Sequence, residues 1–139
     1  MIVADTGAIV ALIDAADRHH REIRVLFEEA PEKWVLPWAI LPEVDHLLRR
    51  HVGVRAERAF LRDLSDGAFS VEWGTEADLE RADDLCSRYA ALDLGLVDGA
   101  VIAIAERLRA EAIVTLDLRD FGAVKIAGAP RLLPRDVRG

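Results

Sequence analysis

The chain has 139 residues, 52% of them hydrophobic and 31% charged, which is the make-up of one folded domain with a single core rather than of a disordered chain. Its formal net charge of -7 argues against strong non-specific nucleic-acid binding, unless the carboxylates are gathered around a metal. No apolar run reaches the roughly 18 residues of a membrane span, the N-terminus has no basic n-region or cleavage-site pattern, and the lone Cys86 has no partner for an internal disulfide, so a cytoplasmic domain spanning residues 1–139, without membrane contact, is predicted.

The first four residues, MIVA, read as a short buried strand. Gly7 to about Ala16 reads as a helix. Asp17 looks like the N-cap of a second helix, RHHREIRVLFEEA, that ends before Pro31. KWVLPW, 33–38, is a second strand, and AILPEVDHLLRRHV a helix with Pro42 in its first turn. Gly53 breaks that helix and VRAERAFLRDLSD makes another. AFSVEW, 68–73, is a third strand. Thr75 then caps EADLERADDLCSRYAAL, with Asp78 three residues later. Residues 96–110 form a strongly apolar helix, AIVTL (112–116) a fourth strand and PRLL a fifth. Short apolar strands alternating with helices predict an α/β fold, a mainly parallel sheet of four to five strands covered by helices on both faces. In such sheets the ligand site lies at the carboxyl ends of the strands.

Four carboxylates fall at element ends on that side. Asp5 ends the first strand and Asp117 the fourth, so both point into one crevice if those strands are neighbours. Glu43 lies in the first turns of the helix after the second strand. Asp98 lies near the start of the apolar helix, whose face carries Val101, Ile102 and Ala105, so it is expected to abut the core, an expensive place for a lone anion. Taken singly, each has a plainer role. Asp5 can cap the next helix, Glu43 and Asp98 can complement a helix N-terminus, and Asp117 can be a turn residue. Together they cannot all stay ionised in one cleft without compensation. A hard divalent cation, Mg²⁺ or Mn²⁺, supplies it through oxygen ligands. Zinc is disfavoured, because His19, His20, His46 and His51 lack ligand spacing and read as solvated surface. Cys86 reads as a small buried hydrophobe.

These pieces, IVADTGAIVALID, LPEV around Glu43, LGLVDGAVIAIAERL around Asp98 and TLDLRDF around Asp117, together resemble the PIN-domain nucleases, and specifically the VapC toxins of VapBC toxin–antitoxin modules. The likeness runs over nearly the whole chain. It implies a PIN-like three-layer α/β/α fold and a Mg²⁺- or Mn²⁺-dependent endoribonuclease. It implies an acidic quartet of Asp5, Glu43, Asp98 and Asp117, with Asp5, Asp98 and Asp117 holding the metal and Glu43 positioning or deprotonating the water. Thr6 and Thr115 take the supporting polar positions. The products would carry 5′-phosphate and 3′-hydroxyl ends. The family often has Ala after the third acid, where this chain has Gly99. Asp93 and Asp120 are held as surface or supporting acids, and Arg119 is the first candidate to hold the RNA backbone. The resemblance also implies an antitoxin partner, VapB-like, that wraps a helix along a groove and sets an Arg among the four acids. High apolar content predicts a homodimer, with apolar faces on the REIRVLFEEA helix and on the Glu43 helix.

Other readings fit less well. Ala-Asp-Thr-Gly-Ala occurs in aspartic proteases, but that site belongs to an all-β fold, and here it leads into a helix. Haloacid-dehalogenase-like enzymes need a second Asp where this chain has Gly7, and receiver domains need a late Lys where only Lys33 and Lys125 exist. A PIN-like module that binds RNA without cleaving it is the remaining alternative, distinguished by metal-dependent cleavage that is lost on changing one acid.

Overall fold

The computed structural model describes residues 1–137, and the last two residues of the expected domain lie outside them. Five strands, β1 (Ile2–Ala4), β2 (Trp34–Pro37), β3 (Ser70–Glu72), β4 (Ala112–Val114) and β5 (Arg131–Leu133), form one sheet in the order β3-β2-β1-β4-β5. Every pairing is parallel. β1 and β4 are neighbours, with Ala4 opposite Val114. The residues that follow them, Asp5 and Thr115, therefore leave the sheet side by side. The chain order reverses between β1 and β4, so this is the switch point at which a doubly wound sheet opens a crevice.

The helices are α1 (Thr6–Ile13), α2 (His20–Glu29), α3 (Leu41–His51), α4 (Val54–Ser65), α5 (Glu76–Arg88), α6 (Leu96–Arg107) and α7 (Leu118–Phe121). Right-handed crossovers place α1 to α4 on one face of the sheet and α5 with α6 on the other; α1 packs on α2 and α3, α3 on α4, and α5 on α6. The core is the apolar strand residues Val3, Ala4, Leu36, Ile113 and Val114 between those layers, all fully buried. α6 is buried continuously from Gly99 to Ala105. The sheet covers one side of it and α5 the other, which is why its sequence is apolar all round.

Several boundaries differ from expectation for local reasons. α1 ends at Ile13 because Asp14 turns the chain out of the helix, its Oδ1 accepting from the Ala16 N–H at 3.0 Å. α2 begins at His20, so Asp17 is not its N-cap. Its carboxylate accepts from the His19 N–H at 2.8 Å and shapes the turn before the helix. His20 is half-buried rather than solvated, and its Nδ1 donates to the Ala11 carbonyl at 2.8 Å, tying α2 to α1. The Thr75 cap is as predicted: its hydroxyl accepts from the Asp78 N–H at 3.2 Å, and its own N–H donates to Asp78 Oδ2 at 2.9 Å.

Gly99, where Ala was the expected residue, is explained by the α5–α6 contact. A Cβ there would lie 3.0 Å from the Ala82 carbonyl oxygen and 3.1 Å from the Ala82 Cβ. A methyl group between the two helices would fit only if Ala82 gave way by a few tenths of an ångström. Arg107 near the end of α6 clamps the same pair. It donates to Asp78 Oδ1 at 2.8 Å, to Asp78 Oδ2 at 3.0 Å and to Glu72 at 2.7 Å. Burial alone would raise the Asp78 pKa, but the Arg107 and Thr75 hydrogen bonds outweigh it and hold the carboxyl below its usual range.

Candidate metal and active site

At the carboxyl ends of β1 and β4, Asp5, Thr6, Gly7, Glu43, Leu47, Asp98, Leu116 and Asp117 line one cleft of about 490 Å³. All four acids singled out in the sequence reach it, each from a different element. Asp5 arrives on the end of β1 and is 6% exposed. It precedes α1 but makes no side-chain cap to that helix. Its Oδ2 instead accepts from the Thr115 hydroxyl at 2.9 Å. Thr115, fully buried, also accepts the Asp117 N–H at 3.0 Å. One hydroxyl thus sets both the Asp5 carboxylate and the backbone from which Asp117 projects.

Asp117 does cap a helix: its Oδ1 accepts from the Asp120 N–H at 3.2 Å and starts the short α7. Asp98 lies in the first turn of α6 and accepts from the Gly95 N–H at 3.5 Å. It is half-buried at the cleft wall rather than set against the core, because the helix end opens to solvent there. Cys86 is half-buried, and its thiol donates to the Gly95 carbonyl at 3.3 Å, bracing the loop that carries Asp98. Glu43 is exposed in the first turn of α3 on the opposite wall.

One acid belongs to the cluster more closely than its sequence suggested. Oxygens of Asp98, Asp117 and Asp120 lie within 4.8 Å of one another. Asp120 joins because α7 is a helical turn, which brings positions three apart to one side. The spacing Asp117-x-x-Asp120 is the available signal, and a helix of four residues carries too little periodicity to reveal it. Asp93 contributes only its charge toward Asp120, and Arg119 is exposed.

The electrostatics are those of a site short of positive charge. Burial pushes the Asp5 pKa up to about 6, with the charges of Asp98 and Asp117 adding to it against the hydrogen bonds from Thr6 and Thr115. Burial and the neighbouring Asp117, Asp120 and Glu43 charges raise Asp98 despite its bond from Gly95. The Thr6 hydroxyl is buried beside Asp5 with no hydrogen-bond partner among the described residues. An orphaned hydroxyl, repelling carboxylates and an all-oxygen donor set fit a hard divalent cation. Oxygens within 4.8 Å of one another have to close by only a few tenths of an ångström to share one Mg²⁺, whose ligands at bonds of about 2.0–2.1 Å lie at most about 4.2 Å apart.

Comparison with known proteins agrees with this architecture. The PIN domain family model matches residues 2–127. The chain is 32% identical to Ribonuclease VapC26 of Mycobacterium tuberculosis over 130 residues, covering 94% of this chain and 96% of that protein. The chain therefore belongs to the PIN-domain family, in its VapC branch. Among solved structures it is similar to Mycobacterium tuberculosis VapC20, a sarcin-ricin loop cleaving toxin, with a TM-score of 0.81 at 24% identity over 92% of this chain and 98% of that one. It also resembles a toxin–antitoxin complex from Klebsiella pneumoniae, with a TM-score of 0.70 at 23% identity over 96% of each chain. Both likenesses concern the fold.

Proposed function

We propose that the protein is a divalent-cation-dependent endoribonuclease and the toxin of a toxin–antitoxin pair, acting in the cytoplasm as a homodimer, with Asp5, Glu43, Asp98 and Asp117 as its catalytic acids. The observation that carries this reading is the buried Asp5 in one cleft with Glu43, Asp98 and Asp117, beside the unpartnered Thr6 hydroxyl. Membership of the VapC branch points to RNA as the polymer.

Asp5, Asp98 and Asp117 would hold a Mg²⁺ ion, or Mn²⁺ in its place, with Asp120 supporting it from α7. When bound, the ion neutralises the carboxylates, polarises a phosphate oxygen and acidifies water. Thr115 keeps the Asp5 carboxylate turned to the cleft, and Thr6 supplies a hydroxyl beside it. Glu43, exposed on the facing wall, orients the attacking water and accepts its proton. The water oxygen bonds to phosphorus as the bond to the ribose 3′-oxygen breaks. That oxygen leaves with a proton taken from solvent water, and Glu43 returns its proton to solvent, giving 5′-phosphate and 3′-hydroxyl ends. Arg119, next to Asp117 and free of ion pairs among the described residues, contacts the RNA backbone. A VapB-like antitoxin masks the cleft by placing a guanidinium among the same carboxylates.

The test is cleavage of a structured RNA by purified protein in Mg²⁺, in Mn²⁺ and in chelator, with end-group mapping of the fragments. Metal-dependent cuts bearing 5′-phosphates, absent in the Asp98→Asn variant, support the reading. RNA binding without cleavage under every condition would instead assign a non-catalytic PIN module.

A further inference from the structure

The positive charge of this chain is gathered in one place. Residues 46–62 hold five arginines and one acid, Glu57, a net charge of +4 in a chain of -7, so the remainder carries -11. Glu57 is buried and already paired, with Arg49 Nη1 at 3.2 Å. Arg50, Arg55, Arg58 and Arg62 are exposed, and none forms an ion pair among the described residues. The plainer role of a surface arginine is to answer a helix dipole or a neighbouring acid. A dipole accounts for Arg50 and Arg62, which lie in the last turns of α3 and α4. It does not account for Arg58, nor for Arg55 in the first turn of α4, where a cation opposes the dipole.

This surface starts at the acid cleft. Glu43 and Leu47 both line the cleft, which fixes the face that α3 turns toward it. His46 and Arg50, both exposed, lie on that face three and seven residues after Glu43. Val44 and Leu48 take the core-facing side and are fully buried. Arg50 is about 10 Å from Glu43 along the helix axis. Only Val52 and Gly53 separate α3 from α4, so the Arg55 Cα is at most about 18 Å from that of Arg50. Arg55, Arg58 and Arg62 then follow at spacings of three and four, on the side of α4 away from the buried Glu57 and Phe60. The other wall of the cleft has the opposite charge. Asp98, Asp117 and Asp120 cluster there, and α5, packed on α6, exposes Glu76, Glu80, Asp83 and Asp84. A polyanion is repelled from that wall and attracted to the α3 wall.

We propose that this arginine face binds the RNA backbone on one side of the scissile phosphate, with Arg50 nearest the cleft and Arg55, Arg58 and Arg62 further out. It rests on the ribonuclease reading above and adds where on the chain the strand lies. The occupant is a polyanion because four guanidiniums stand unpaired with no acid to answer them, and a guanidinium suits bidentate contact with phosphate. Contacts of this kind position a strand without selecting its sequence. They also explain how a chain of net charge -7 holds RNA, because the local potential at the binding face, not the total charge, governs the approach of the ligand.

The experiment is fluorescence anisotropy of a labelled single-stranded RNA titrated with the full chain in chelator, over a potassium chloride series. Cleavage does not enter the readout, so a protein that fails to cut RNA and a face that fails to bind it are told apart. Arg55→Gln, Arg58→Gln and Arg62→Gln together should weaken binding at least about tenfold near 0.1 M salt. They should also lower the slope of log affinity against log salt by about 2, at about 0.7 for each phosphate contact. Arg50→Gln alone should lower it by about 0.7. Lysine at the same three positions keeps the charge and should restore most of the affinity. Arg18→Gln, Arg21→Gln and Arg88→Gln together remove the same charge from exposed sites off this face and should change binding far less. If the triple variant does not fold, the three single changes are read instead, each by a slope loss of about 0.7. A wild type that does not bind the RNA overturns the proposal, as does an affinity that the three changes leave intact or that the off-face set weakens equally. Intact RNA affinity with a changed sedimenting mass overturns it too, and assigns the face to contact between proteins.

Discussion

Thr115 donates its hydroxyl to Asp5 at 2.9 Å across the β1–β4 boundary, and the same oxygen accepts the Asp117 N–H at 3.0 Å. Replacing it with valine, close in shape, leaves a buried carboxylate oxygen and a backbone donor unpaired. Thr115→Val is expected to cost about 1–3 kcal/mol of stability and to reduce RNA cleavage. Chemical denaturation in chelator, with a parallel cleavage assay, measures both. Unchanged stability would mean that the two bonds are replaced by water.

Asp5 binds a proton more tightly in the folded chain than in the unfolded one, its pKa moving from 3.8 to about 6. Between those values the native state holds more protons, so without metal its contribution to stability falls as pH rises and is lowest above pH 6. The penalty at neutral pH is about 3 kcal/mol. Asp5→Asn removes it while keeping an acceptor for Thr115. The variant should melt higher than wild type at pH 7.5 in chelator, with a flatter pH dependence, and should not cleave RNA. A variant that melts lower under those conditions contradicts the assigned strain.

Arg107 neutralises Asp78, whose side chain is only 6% exposed. Arg107→Met removes both bonds to Asp78 and the bond to Glu72. With the guanidinium itself 33% exposed, the expected loss is about 2 kcal/mol, below that of a fully buried pair. The Asp78 pKa is lowered in the fold, so the stability it contributes is present at neutral pH and lost as pH falls through the acid range. Wild type and variant should therefore converge in stability only as pH falls below the unfolded-state value of 3.8, which urea titrations at pH 7 and at about pH 2.5 would read.

Gly99→Ala tests the close approach of α5 and α6. Helix propensity favours alanine by about 1 kcal/mol, but the added methyl would lie 3.0 Å from the Ala82 carbonyl oxygen. That atom is backbone, and α5 is anchored to α6 by Arg81 on Glu106 at 2.8 Å and by Arg107 on Asp78. The variant is expected to melt lower than wild type. Because Gly99 adjoins Asp98, its metal-dependent thermal shift should shrink as well.

Much of the site could be read from element ends. Asp5 and Asp117 close buried strands that turned out to be neighbours, and Glu43 and Asp98 open helices, so their convergence follows once the sheet is parallel. Local motifs with a physical signature were equally readable, as with the Thr75–Asp78 reciprocal cap. What could not be read depends on distant partners or on a one-turn helix. The Arg107 clamp joins residues 29 and 35 positions apart, which no periodicity reports. Asp120 enters the cluster only because residues 118–121 coil, and four residues are too few to carry a helical pattern. The need for Gly99 lies in the backbone of another helix.

The central claim, that the acid cleft is a divalent-cation site that performs the cleavage, is tested most directly by calorimetric titration of Mn²⁺ into wild type and into Asp5→Asn and Asp98→Asn, with RNA cleavage followed in the same samples. Wild type should bind the ion and cleave, and each variant should lose both together while remaining folded. Cleavage that survives in either variant, or Mn²⁺ binding that neither change weakens, would contradict the account.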